Sequence, residues 1–135
     1  MTTASIHRIR GSFEQLSARM SQVTADVYAR VFELLPHARA MFKTDMAIQQ
    51  HHFAAALALI VRNLSMLDSL GEALGELGAD HARIGVRPEH YPPMCDAVLF
   101  AIARSLEDQW TEQLAADWRA LLDFVASQML AGSQP

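Results

Sequence analysis

Leucines at positions 67, 70, 74 and 77, with Ile84 further on, recur at steps of three and four, the repeat of a single helix face. A strand alternates every second residue and cannot present this set on one side. The stretch therefore has to be helical, with an apolar edge turned to a core. The same stripe passes through His81, where leucine or isoleucine is demanded and an imidazole stands instead. A histidine in an apolar wall has two roles. It donates to a backbone carbonyl and is satisfied, or it keeps one ring nitrogen for a metal. The stripe alone leaves both open.

The rest of the chain repeats the helical pattern. A first helix is expected from about Ser5 to Met20, with Ile6, Ile9, Phe13, Leu16 and Met20 on one face. A second starts near Thr24 and carries Val27, Tyr28, Val31, Phe32 and Leu35. Pro36 ends it and suits the first turn of a short third helix. After a corner at 42–45, Asp45 is placed to cap a long helix from about Met46 to Ser65. Asp68 or Ser69 opens the helix bearing His81, and Gly85 is placed to close it in the left-handed conformation. Pro88 opens a helix to about Leu106. Thr111 opens the last, to about Leu130, with Leu114, Trp118, Leu121, Leu122 and Val125 inward. A disordered tail is expected over 131–135.

The 135 residues suit one domain with a core over about 5–131. A net charge of −4 with scattered basic residues excludes the basic face of a nucleic-acid binder; His7, Arg8 and Arg10 make only a small cluster. Cys95, the single cysteine, rules out an internal disulfide framework and reads as a small buried residue. The longest apolar run, 53–61, is too short for a bilayer, and no signal segment is evident. A cytoplasmic protein, monomeric or homodimeric, is the expectation.

Two motifs carry a resemblance. His81 is followed by a turn and by Pro88-Glu89-His90-Tyr91-Pro92, which opens another helix. Upstream, Tyr28 lies on the second helix, Pro36 opens the third, and Phe42 follows. In this order and spacing the chain resembles bacterial globins, above all the haem domain of flavohaemoglobins and their single-domain relatives. The resemblance spans nearly the whole chain. It implies an all-α globin fold of six to seven helices crossing around a haem pocket. It also implies haem b held non-covalently, since no Cys-x-x-Cys-His sequence is present.

The roles it implies fall on particular residues. His81 is the axial ligand of the haem iron, with the Leu77 carbonyl as acceptor for its other ring nitrogen. Phe42, Phe53, Ile84, Val86, Tyr91, Met94 and Val98 are the apolar surroundings of the haem. Tyr28 and Gln49 are hydrogen-bond donors for the gas on the distal side; a shift of one residue would exchange Gln49 for Ile48 or Gln50. His52 is a propionate partner or, less simply, a sixth ligand. His7, His37, His51 and His90 read as surface residues. One departure stands out: the glutamate that flavohaemoglobins carry on the last helix, near the tyrosine matched by Tyr91, has no counterpart in the 124–133 stretch.

Reversible binding of O2, CO and NO is the function this implies. Nitric oxide dioxygenation is the alternative. It needs an external reductase, because no Gly-x-Gly-x-x-Gly dinucleotide fingerprint occurs here. A gas or redox sensor acting through a partner protein is the third reading.

Overall fold

The computed structural model describes residues 1–134 and contains six α-helices, four 3-10 segments and, among those residues, no strand. The α-helices are α1 (Thr3–Ser17), α2 (Met20–Leu34), α3 (Met46–Arg62), α4 (Gly71–Arg83), α5 (Tyr91–Leu106) and α6 (Glu112–Ser133). The 3-10 segments are Pro36–Met41, Leu64–Leu70, Pro88–His90 and Glu107–Gln109. No single helix is long and apolar enough to cross a membrane.

Local chemistry sets several boundaries. The Asp45 carboxylate accepts from the Ala47 N–H at 2.8 Å, and Thr111 accepts from Leu114 N–H at 3.1 Å. Pro36 opens the first 3-10 segment, where its missing N–H costs nothing. Gly85, at φ +101°, turns the chain after α4 in a conformation that a side chain would strain.

Other boundaries differ from expectation. α1 ends at Ser17, and α2 starts at Met20 rather than near Thr24. Ala18 and Arg19 carry no helix-breaking chemistry of their own; across this corner the main packing partner changes from α6 for α1 to α5 for α2. α3 stops at Arg62, the chain tightens into 3-10 geometry with a kink at Met66, and α4 opens at Gly71 without a side-chain cap. The 3-10 turn at Pro88–His90 precedes α5, which itself begins at Tyr91. Of the expected tail, residues 131–133 continue α6, and Pro135 lies outside the described residues.

The core is shared by five helices. Ile9 and Leu16 of α1 meet Val23, Val27 and Val31 of α2, Leu57 and Val61 of α3, Ala97, Val98, Ala101 and Ile102 of α5, and Leu114, Trp118 and Leu121 of α6. Trp118 is fully buried, and its indole N–H donates to Ser12 Oγ at 3.0 Å, so neither polar group is stranded. The basic cluster expected near the N-terminus is dispersed. Arg8 pairs with the buried Asp117 carboxylate at 2.5 Å, while Arg10 reaches the Arg62 carbonyl and Ser65 Oγ.

α4 is held differently. A Cβ added to Gly78 would lie 2.5 Å from the carbonyl carbon of Met129 and 2.7 Å from its Cα, and one on Gly132 would collide with the Gly75 backbone. α4 and α6 thus cross backbone to backbone, closer than any side chain permits.

Candidate functional site

That crossing sets the place of His81, three residues beyond Gly78 on α4. The half-buried His81 ring donates from Nδ1 to the Leu77 carbonyl at 2.7 Å. A carbonyl only accepts, so the neutral ring carries its proton on Nδ1 and leaves the Nε2 lone pair free. Nε2 has no hydrogen-bond partner among the described residues. Behind the ring, the His81 carbonyl accepts from the Ile84 and Val86 N–H groups, at 3.2 and 3.0 Å, before the chain turns at Gly85. The stripe that constrained the fold is therefore only partly packed away. Leu74 is buried, but Leu77 is 37 % exposed and Ile84 60 %. These apolar side chains of the His81 stripe are left uncovered by the protein itself.

A second constellation forms where α2, α3 and the chain before α3 meet. Tyr28 is buried, and its hydroxyl accepts from the Gln49 side-chain amide at 3.1 Å. Its ring meets Phe42 edge-on at 5.5 Å and Phe53 at 6.0 Å, with Phe32 at 6.3 Å. Asp45 fixes this register, because it caps α3 and its carbonyl accepts the Gln49 N–H at 3.1 Å. Gln49, rather than Ile48 or Gln50, is thereby the partner of Tyr28. Burial pushes the Tyr28 phenol up, and the bond from Gln49 opposes this only in part. The phenol stays protonated near neutral pH. Since Gln49 already occupies a lone pair on the oxygen, the O–H proton is free for another acceptor.

The remaining expected residues are spread between these two groups and the core. Val98 is buried in the core, and Met94 and Phe53 pack against it half-buried. Val86 and Tyr91 are half-buried, and burial pushes the Tyr91 phenol up. No carboxylate bonds to Tyr91 or to the His81 ring among the described residues. His51 and His52 are both exposed. Cys95 is buried, and burial, ahead of the carboxylates of Asp123 and Asp96, raises its thiol.

One pairing escaped the sequence reading. His37 and His90 are not isolated surface residues: their Nε2 atoms are 3.5 Å apart, and the rings lie 5.5 Å centre to centre. No periodicity links two positions on short 3-10 segments so far apart in sequence. Only the tertiary fold reveals them.

Six α-helices joined by 3-10 segments, with a histidine near the end of α4 and a tyrosine–glutamine pair from α2 and α3, define an all-α class of protein. The chain belongs to the globin family, whose model matches residues 25–129. It is 25% identical over 130 residues to an uncharacterised globin-like protein of Aquifex aeolicus, covering 96% of this chain and 92% of that one. It is 29% identical over 110 residues to a flavohemoprotein of Rhizobium meliloti, covering 79% of this chain but only 27% of that longer protein. Among solved structures it is similar, with a TM-score of 0.86 and 26% identity, to an engineered carbene transferase of Rhodothermus marinus. That protein's parent is assigned, by inference, as a nitric oxide dioxygenase; the match covers 98% of this chain and 93% of that one.

Proposed function

We propose that this globin holds haem b non-covalently, with His81 as axial ligand, and binds diatomic gases reversibly. When bound, the haem supplies an iron centre that takes up O2, CO or NO. The single observation carrying the reading is the state of the His81 ring. Its Nδ1–H is committed to the Leu77 carbonyl at 2.7 Å, which orients the ring and keeps Nε2 a neutral lone-pair donor.

The surroundings fit a flat apolar cofactor. Leu77 and Ile84 stand exposed beside the ring, and covering each side chain is worth about 1.5–3 kcal/mol at most. Phe42, Phe53, Ile84, Val86, Tyr91, Met94 and Val98 provide the apolar surroundings. The exposed His52 serves the polar edge, as a partner for a propionate. Tyr28 donates its free hydroxyl proton to the gas, and Gln49, by donating to the Tyr28 oxygen, directs that proton.

Reversible binding is favoured over turnover because neither His81 nor Tyr91 has a carboxylate partner among the described residues. His81 therefore remains a neutral donor. Nitric oxide dioxygenation is the second reading, supported by the likeness to flavohemoproteins and to the Rhodothermus marinus protein. It requires a supply of electrons to re-reduce the iron after each turnover. Multiple-turnover consumption of nitric oxide with a cellular reductase extract separates the two, since simple binding stops after one equivalent.

Absorption spectra of the purified chain, ferric and then reduced, with and without carbon monoxide, test the proposal. A haem band that shifts on adding carbon monoxide is expected, and His81→Ala should abolish or strongly weaken haem uptake. Unchanged affinity and spectrum in His81→Ala would refute the assignment. No band even after reconstitution with hemin would refute the function as a whole.

A further inference from the structure

His37 sits on the 3-10 segment Pro36–Met41, just before Phe42, and His90 on the 3-10 segment Pro88–His90, just after the Gly85 turn. The Gly85 turn also comes close to the first segment, since a Cβ placed on Gly85 would lie 3.8 Å from Met41 Cε. The histidine pair therefore ties the chain ahead of Phe42 to the chain behind His81. From His81 the linkage is short. Its carbonyl holds the Val86 N–H at 3.0 Å, and the next N–H, that of Arg87, donates to His90 Nδ1 at 2.9 Å.

This last bond decides where the protons lie. Because Arg87 donates to Nδ1 of His90, that nitrogen is an acceptor, and the neutral ring carries its proton on Nε2. His90 Nε2–H then points at His37 Nε2, which must accept, so the His37 proton lies on Nδ1. The run Arg87 N–H, His90, His37 is consistent only when both rings are neutral. A second proton on His90 would place N–H against the Arg87 N–H. A second proton on His37 would place it against the His90 N–H. Either one breaks a bond in the run.

Among the nearby charges, the Glu89 carboxylate acts on His90 through space, without a hydrogen bond to its ring among the described residues. Glu89 is bonded to Arg87 at 2.8 Å, and its carboxyl is held below the usual range first by its own backbone N–H and then by Arg87. Arg39, on the His37 segment, lies 5.8 Å over the Phe32 ring. Asp80 pairs with Arg83 at the end of α4, and Asp96 on α5 with Arg119. No carboxylate bonds to either imidazole among the described residues.

We infer that His37 and His90 form an acid-released strap that positions the Val86–Arg87 turn behind His81. A proton added to either ring is the event that breaks the run, because each acceptor nitrogen in it then becomes a donor. The effect on His81 ligation rests on the function proposed above; the strap itself does not.

The test uses the full chain, labelled with 15N, titrated from pH 8 to pH 5 by NMR without haem. At pH 8 His90 should carry its proton on Nε2 and His37 on Nδ1. On acidification both rings should titrate together with the backbone amides of Val86 and Arg87. In His37→Phe, which loses the His37–His90 bond but keeps that from Arg87 to His90, those amides should shift at pH 8 part of the way towards their acid positions. His37→Gln, which keeps an acceptor at the Nε2 position, should restore the neutral ones. Rings that titrate while the two amides stay still, or His90 protonated on Nδ1 at pH 8, would overturn the strap. In haem-loaded protein, haem transfer to an apoglobin acceptor should accelerate at least threefold between pH 8 and pH 5, whereas His37→Phe should start faster at pH 8 and gain less on acidification. An identical acid response in both would overturn the link to His81. Failure to take up haem would refute the proposed function and leave the NMR test of the strap standing.

Discussion

Replacing Gly78 by alanine adds one methyl at the point where α4 and α6 touch. That methyl would lie 2.5 and 2.7 Å from the carbonyl carbon and Cα of Met129. Carbon atoms rest at about 3.5–4.0 Å, so the helices must part by about 1 Å. The obstacle is backbone, not the free end of a side chain, and no rotamer change relieves it. Overpacking of this kind costs about 1–3 kcal/mol or more, against about 1 kcal/mol gained from the better helix propensity of alanine. A net loss of about 1–2 kcal/mol is expected, lowering the melting temperature by roughly 4–10 °C in a domain of this size. The control is Gly11→Ala on α1, where an added Cβ meets nothing within 4 Å. There the propensity term stands alone and should stabilise by about 0.5–1 kcal/mol. Urea and thermal unfolding, followed by helical circular dichroism, measure both variants. The opposite signs are the test. A Gly78→Ala protein as stable as Gly11→Ala would show that the crossing is looser than described.

Other consequences can be measured on the same samples. Tyr28→Phe removes one donor to the gas and should speed dioxygen release about tenfold, as for a hydrogen bond of about 1.4 kcal/mol; an unchanged rate means Tyr28 does not touch the ligand. The same variant should flatten the alkaline limb of stability. Burial raises the Tyr28 phenol in the folded state, so above about pH 10 the unfolded chain ionises first and stability falls with rising pH. An alkaline limb as steep as in the parent chain would contradict this. Ser12→Ala leaves the buried Trp118 indole N–H without its acceptor and should cost about 1–3 kcal/mol in urea unfolding.

Much of the fold is legible because local chemistry and tertiary packing agree. Pro36, Asp45, Gly85 and Thr111 each act at a helix end through their own backbone or side chain, and each does so in the structure. Tyr28 is placed by the periodicity of its helix and Gln49 by the Asp45 cap of its own, and they meet at 3.1 Å. The corner at 18–19 has no such local cause. Nor does the 3-10 passage through 64–70, where an apolar periodic pattern persists although α-helical hydrogen bonding does not. His37 and His90 were illegible for a different reason: each reads as an ordinary polar residue, and their meaning lies in a contact between separate 3-10 segments. The Gly75–Gly78–Gly132 crossing was hidden because glycine signals absence of a side chain, not the identity of the backbone that fills the space.

That crossing also shapes which sequences this protein can explore. Where two backbones touch, no side chain remains to be traded for a slightly larger or smaller one. Positions 78 and 132 therefore admit no gradual variation, and a single added carbon is already a discontinuity. The wall beside His81, at Leu77 and Ile84, faces outward and can drift through many apolar alternatives. The site is thus built on a mutationally rigid rail with a tolerant face. Its shape is free to diversify while the placement of the histidine is not.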